Sequence, residues 1–437
     1  MGIEKNEGQA SSSRLSQYRR LLPWLVFAAV GAGGALGVVL KINGLTPQQI
    51  EHFNLGLPGD IFLRALKMVV VPLIITAIIT GVTGVGDARG LGRMGVWVAV
   101  YYLGTTAISV AAGLIFVNWL EPGRGIDLSI AGNVQEELTT NTRTFGEFLL
   151  HLISVNPIGD AAADLGEGRL LPLLIFCVLF GACLTSIKGP SRETLIQLFD
   201  GLYQVMIRLT ELIILFTPFG VFFLVLKTMA IHGIDAFGSI AKFGLTVLLG
   251  LIFQAVVVLP LLLRFLGGVS PLKLAQSALP ALLTAFATSS SSATLPVTID
   301  CATQKGGIPK RISNFILPLG ATVNMDGTAL YEAVAALFIA QAYGMELGLA
   351  EQAMVLVMAT LAAVGTAGIP SASLVMIAVV LGALGLPLEG IGLILALDRL
   401  LDMCRTTVNV WGDLSGAAIY HGLENKKKPT GTKEYLP

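Results

Sequence analysis

The chain has 437 residues, 54% of them hydrophobic and only 13% charged, with Lys+Arg 28 balancing Asp+Glu 28; its mean hydropathy is +0.78. A soluble domain carries about 25% charged residues, so the composition excludes an ordinary soluble domain and indicates a polytopic membrane protein. The neutral balance points to no nucleic-acid partner. The cysteines Cys177, Cys183, Cys301 and Cys404 form no CxxC pair, so neither a disulfide framework nor a thiolate metal site is suggested. Neither a GxxxxGK[ST] phosphate loop nor an HExxH pair occurs, which leaves nucleotide-driven pumping and zinc hydrolysis without support.

In chain order, residues 1–20 are polar and basic (SSSRLSQYRR), without an evident cleavable signal. Spans of about 20 apolar residues are then expected at Leu21–Leu40, Met68–Gly86, Met94–Leu120, Leu170–Ile187, Leu212–Leu226 extended backward toward Gly201, and Phe243–Leu263. The polar, acidic stretch from Gly123 to Arg143 reads as an exposed loop. With the N-terminus inside, the groups Arg14/Arg19/Arg20, Arg89/Arg93, Lys188/Arg192, Arg264/Lys273, Lys305/Lys310/Arg311 and Lys426/Lys427/Lys428 all fall on the cytoplasmic side. The tail 422–437 is then cytoplasmic as well.

The C-terminal part departs from this pattern. The uncharged stretch Leu274–Ile299 is interrupted by SSSSATLP (Ser289–Pro296), and Gln352–Leu388 by GTAGIPSAS (Gly365–Ser373). The arms on either side are too short to cross, so each stretch reads as two half-helices meeting at a tip within the membrane. Each tip carries a proline, and each is followed by a span predicted to have a polar break. The separation is 28 residues from Pro296 to Asn324 and again from Pro370 to Asp398. The first stretch follows a cytoplasmic loop and the second an external one, so the repeats are inverted. Paired broken segments of this kind are the best sequence pointer to a transporter's binding site.

The final span holds DRLLDMCRTTVNVWGD, Asp398 to Asp413. At about 100° per residue, Asp398, Asp402, Arg405, Thr406, Asn409 and Asp413 share one arc of roughly 100°. Each charge at mid-membrane costs about 2.5–3.5 kcal/mol on an insertion scale, so this arc must face inward. A structural Arg–Asp pair explains part of it. A ligand site explains more: the Arg405 fork suits a carboxylate, and Asp402 suits an ammonium, which together describe an amino acid. NMDGT (Asn324–Thr328) offers oxygens from Asn324, Asp326 and Thr328, and carbonyls freed where the glycine loosens the helix. With Asn409 and Asp413 these could surround a hard cation such as sodium, or the segment could be a kink bridged by water. The serines 289–292 open a half-helix, where N–H groups can receive a carboxylate, although serine runs also form plain loops. Glu332 could carry a proton or only pack. Tyr102, Thr105 and Thr106 could serve as ligands or as glue between helices, and Glu211 is assigned no role beyond an interfacial or paired carboxylate.

SSSSATLP, NMDGTALYEA, GTAGIP and DMCRTTVNVWGD, in this order and spacing, resemble the dicarboxylate/amino acid:cation symporters, a family that includes glutamate and aspartate transporters. The likeness covers nearly the whole chain. The serine-rich tip and YEA look closer to animal excitatory amino-acid transporters than to archaeal aspartate transporters. The resemblance implies an all-α membrane fold of eight transmembrane helices plus two re-entrant helical hairpins, assembled as a homotrimer in a plasma or bacterial inner membrane. Residues 21–271 would be mainly scaffold, with spans 3 and 6 packing on the transport part, and residues 272–421 would carry the substrate like an elevator.

By the same resemblance, Arg405, helped by Thr328, would hold the side-chain carboxylate of an acidic amino acid. Asp402 would take the amino group, and Asn409 and Ser291 the α-carboxylate, with Thr406 nearby. Sodium ions would use Asn324, Asp326, Asn409 and Asp413. Tyr102, Thr105 and Thr106 would complete one sodium site, and the backbones of Gly320, Thr322–Met325 and Thr366 another. Glu332 matches the position linked to proton coupling. H+ and K+ are thus candidate coupled ions beside Na+. The chain departs from the family at Ser289 and Met403, where an extra arginine is common at one or the other, at Ser373 in place of a glycine, and at Ala363 in place of a serine. A C4-dicarboxylate or neutral amino-acid carrier is the nearest rival, although Asp402 argues against a substrate without an amine and Arg405 against a neutral side chain. No nucleophile–base pair suggests an enzyme.

Overall fold

A backbone sunk in apolar surroundings can meet its hydrogen-bonding needs only within its own segment or against neighbouring protein, and long uncharged runs therefore fold as helices. The structure, a computed structural model, describes residues 21, 24–26, 28–44, 46–87, 93–124, 153, 155–162, 170–232, 235–366 and 373–426, and every regular element among them is helical. The expected N-terminal segment, most of the acidic loop after Gly123, the centre of the second tip and the end of the tail lie outside the described residues.

The long helices are α1 (Trp24–Ile42), α2 (Leu57–Asp87), α3 (Arg93–Leu120), α4 (Leu170–Ser186), α5 (Pro190–Ile214), α6 (Thr217–His232) and α7 (Asp235–Phe253). Wide π-type turns at Gln254–Val258 and Leu263–Gly267 extend α7 to a left-handed Gly268. The C-terminal part contains α8 (Pro271–Thr288), α9 (Ser291–Asp300), α10 (Lys310–Val323), α11 (Asp326–Ala342), α12 (Leu349–Gly365), α13 (Ser373–Ala383) and α14 (Ile391–Lys426). By length and apolarity, three described helices suffice to cross a membrane, Trp24–Ile42, Met94–Leu120 and Gly238–Gly267. A further candidate span is bent: Pro190–Ile214 and Thr217–Ile231 meet at 55°.

That bend corrects the expected continuous span Leu212–Leu226. The chain leaves the helix at Leu215–Phe216 and restarts with Pro218 in the first turn of α6, where proline's missing N–H costs nothing. The serine tip is also tighter than expected. Only Ser289 and Ser290 are non-helical: Ser289 is left-handed at φ 50, and Ser290 is extended. The Ser290 side chain accepts the Ala293 N–H at 3.1 Å and so caps α9. Ser291 to Pro296 are already helical, and α8 and α9 pack on one another.

NMDGT does interrupt the helix, but at Asn324 (φ −97, ψ 85) and Met325 (φ −112, ψ 52) rather than at its glycine. Gly327 lies inside the first turn of α11. A Cβ there would stand 2.7 Å from the Arg405 carbonyl oxygen, so the glycine permits close approach of α11 to α14. The second expected break is not formed: α14 runs unbroken for 36 residues through the whole polar stretch. Its polarity is absorbed by side-chain partners, and the backbone ladder is not opened.

Two apolar cores result. One gathers α2, α4, α6, α12, α13 and nearly all of α11. The other gathers α8, α10, the start of α3 and the last turns of α14. The chain passes from one core to the other between Val323 and Met325 and again between Val408 and Val410. Asn324 and Asn409 sit at these two crossings. α11 is buried on all sides from Asp326 to Ala340, as a helix at the centre of a membrane bundle must be. α3 and α7 flank it, and α7 also packs on α14.

Candidate functional site

The predicted polar arc of α14 faces protein throughout. Asp398, Asp402, Arg405, Thr406, Asn409 and Asp413 are all buried, whereas Leu400 on the opposite side is exposed. Arg405 has no solvent exposure. Its Nη2 donates to Asp398 Oδ1 and to Asp402 Oδ1, both at 3.0 Å, and its Cζ stands 3.8 Å over the Tyr331 ring. Spacings of seven and three residues bring both carboxylates to one side of the helix as the arginine. Nε and Nη1 are buried and have no hydrogen-bond partner among the described residues. Buried donors left unmet cost about 1–3 kcal/mol each. Two donor nitrogens of the charged group are therefore unmet among the described residues.

One turn further on, Asn409 ties α14 to the helix break. Its Oδ1 accepts the Gly327 N–H at 2.7 Å, and its Nδ2 donates to Thr328 Oγ1 and Met325 Sδ, both at 3.2 Å. Asn324 Nδ2 donates to Asp413 Oδ1 at 2.9 Å, and Thr105 Oγ1 donates to Asn324 Oδ1 at 3.4 Å. Asp326 receives Thr106 Oγ1 at 2.8 Å on one carboxylate oxygen and Gln254 Nε2 at 3.0 Å on the other. Its carbonyl accepts from Ser109 Oγ at 2.9 Å. At Gly320, an added Cβ would run into the Asp413 carboxylate and would stand 2.5 Å from the Tyr102 hydroxyl. The missing side chain leaves room beside that carboxylate. Carboxylate, amide, hydroxyl and carbonyl oxygens are the donor set of a hard cation. No group of three or more His, Cys, Asp or Glu among the described residues is arranged to hold a metal.

Three polar clusters thus meet at the helix break, Asn324 with Asp413 and Thr105, Asp326 with Thr106, and Asn409 with Thr328, and Arg405 and Asp402 lie one to two turns before Asn409 on α14. Tyr102 borders the first of these clusters, but its hydroxyl donates to the Ile316 carbonyl at 2.8 Å. Thr322 is exposed and bonds back to Leu319, and the Thr366 hydroxyl bonds back to Ala362. Thr406 is buried on the polar arc. Ser291, and with it Ser289 and Ser373, keeps a buried hydroxyl with no hydrogen-bond partner among the described residues. Glu332 is fully buried, and neither carboxyl oxygen has a hydrogen-bond partner among the described residues.

A model of the sodium:dicarboxylate symporter family matches residues 22–423. The chain belongs to that family. It is a multi-pass membrane transporter of a family of cation-coupled symporters, and it is not an enzyme. It is similar to excitatory amino acid transporter 3 of Mus musculus, with 35% identity over 94% of this chain and 88% of that protein. It is also similar to the proton/glutamate-aspartate symporter of Escherichia coli (strain K12), with 33% identity over 95% and 96%. An excitatory amino acid transporter of Caenorhabditis elegans is 35% identical over 92% and 88%.

Several participants had no assigned role from sequence. Asp398 is the second anion on Arg405, Tyr331 supplies the ring beneath it, and Ser109 and Gln254 hold Asp326. Gln254 alone had a usable signal, as a lone polar residue in the apolar run LLGLIFQAVVVLPLLL. Replacing it, Gln254→Leu, removes a donor to a buried carboxylate. We expect a loss of about 1–3 kcal/mol, read as a lower unfolding temperature of the detergent-purified protein. An unchanged temperature would mean that Asp326 recruits another donor.

Proposed function

We propose that the protein is a sodium-coupled secondary active symporter of acidic amino acids, L-glutamate or L-aspartate, working by elevator-type alternating access. The observation that carries this reading is Arg405, a fully buried guanidinium with two aspartates on one nitrogen and, among the described residues, no partner on the other two. A substrate carboxylate can accept a charge-assisted hydrogen bond from one of these nitrogens. Asp402 receives the amino group one turn away. Thr328 assists Arg405, and Asn409 and Ser291 take the α-carboxylate with Thr406 beside them. The named activities of the relatives from mouse and Escherichia coli support the same substrate class.

Sodium enters as a co-substrate at the helix break, held by Asn324, Asp326, Asn409 and Asp413. Tyr102, Thr105 and Thr106 complete one site, and the backbones of Gly320, Thr322, Met325 and Thr366 another. Glu332 is the candidate proton carrier, with potassium as a further candidate ion. In this reading the chain has eight spans and two inverted re-entrant hairpins, α8–α9 and α12–α13. It assembles as a homotrimer in a plasma or bacterial inner membrane, with both termini cytoplasmic.

Labelled aspartate should accumulate in proteoliposomes only under an inward sodium gradient, and gradient-independent or absent uptake rejects the coupling. In competition, aspartate should outrank both succinate and serine; succinate ranking first would mark a dicarboxylate carrier. Arg405→Cys should lower apparent affinity for acidic substrates by roughly 10–100-fold, as expected for a lost charged hydrogen bond of about 1.5–3 kcal/mol, and should shift preference toward neutral amino acids. Unchanged acidic uptake refutes the assigned role. Glu332→Gln should flatten the pH dependence of uptake; an identical pH profile removes Glu332 as the carrier.

A further inference from the structure

Arg399 has no part in the site as described, yet it stands in the same polar stretch. It is three residues before Asp402, and Arg405 is three residues after. At about 100° per residue the two arginines flank Asp402 by roughly 60° on either side. They hold different oxygens of it: Arg405 Nη2 meets Oδ1 at 3.0 Å, and Arg399 Nη1 meets Oδ2 at 3.4 Å. The two pairs differ in access. The Arg405 side chain is 0% exposed, while Arg399 and Asp402 retain 15% and 8%. Arg405 also has Asp398 as a second anion. The looser, more accessible contact is the one made by Arg399.

The geometry points to Arg399 as a resident competitor for the amine subsite: its guanidinium occupies the Asp402 oxygen that a substrate ammonium needs and withdraws when that ammonium arrives. This deepens the reading of an amino-acid substrate and rests on it. Arg405 already holds Oδ1, so the Arg399 guanidinium and a substrate ammonium compete for the one remaining oxygen, and the repulsion of a third cation makes them displace each other at Oδ2. While the subsite lacks an amine, Arg399 and Arg405 together balance Asp398 and Asp402. A substrate without an amine gains nothing from displacing Arg399. The residue therefore sets how strongly the protein prefers amino acids over plain dicarboxylates.

Arg399→Gln should raise the ratio of the succinate inhibition constant to the aspartate KM about tenfold, equivalent to about 1.4 kcal/mol, and Arg399→Lys should return it toward the unaltered value. A ratio that does not move, or that falls because Asp402 has lost a necessary clamp, overturns the proposal. The unaltered protein gives a second readout. Phenylglyoxal modification of Arg399, followed by mass spectrometry, should increase with saturating aspartate and sodium but not with succinate and sodium; equal or reduced labelling with aspartate also overturns it. Failure of the underlying reading is distinct, because the unaltered protein would then show no sodium-driven aspartate uptake at all.

Discussion

Arg405, held at zero exposure between Asp398 and Asp402 with Tyr331 beneath it, is the contact that the rest of the arrangement depends on. A buried charge is tolerated only when paired and hydrogen-bonded, and removing one partner of such a pair costs about 3–5 kcal/mol. The three groups come from two turns of one helix, so their mutual compensation is fixed by helical geometry and survives whatever the surrounding helices do. This explains why α14 can remain continuous through a stretch dense in charge. It also explains how the first core, which supplies Leu395, Leu401, Val408 and Tyr331 around these charges, can enclose them.

The backbone interruption at Asn324–Met325 needs the opposite kind of support. It releases peptide groups into a dry interior, where each must find a partner. Gly327 N–H finds the Asn409 side chain, and the Asp326 carbonyl finds Ser109. Both partners belong to other helices, α14 and α3. The irregular segment is thus held from outside, with Gly327 keeping α11 and α14 close enough for Asn409 to reach across. Asn409 is the link, since it touches Gly327 and Met325 at the break and also Thr328.

Much of this was legible in the chain itself, where local periodicity sufficed. A 3.6-residue period places six polar residues of α14 on one arc, and all six are buried. Asn324 and the glycine of NMDGT signal an interrupted helix, although not the residue where it opens. Where a distant partner decides, the sequence is silent. Gln254 meets Asp326 across 72 positions and Thr106 meets it across 220, and no local pattern encodes either pairing. The reading of two broken spans failed at α14 because polarity alone does not open a helix whose side chains can compensate one another. The reading of Leu212–Leu226 failed because hydropathy is blind to Pro218. The serine tip is shorter than its composition suggests because Ser290 starts a helix by capping it.

Asp326 contacts two neighbouring helices through three separate bonds: Thr106 and Ser109 from α3, and Gln254 from α7. A single residue at the start of α11 is therefore a mechanical rivet. Sliding α11 past either neighbour along the membrane normal would shear one or more bonds inside a dry interior, whereas moving the three helices as one rigid unit shears none. Under the elevator-type motion proposed above, the moving mass would therefore include α3 and α7, and slippage would fall at interfaces farther out, where greasy side chains glide without breaking polar links.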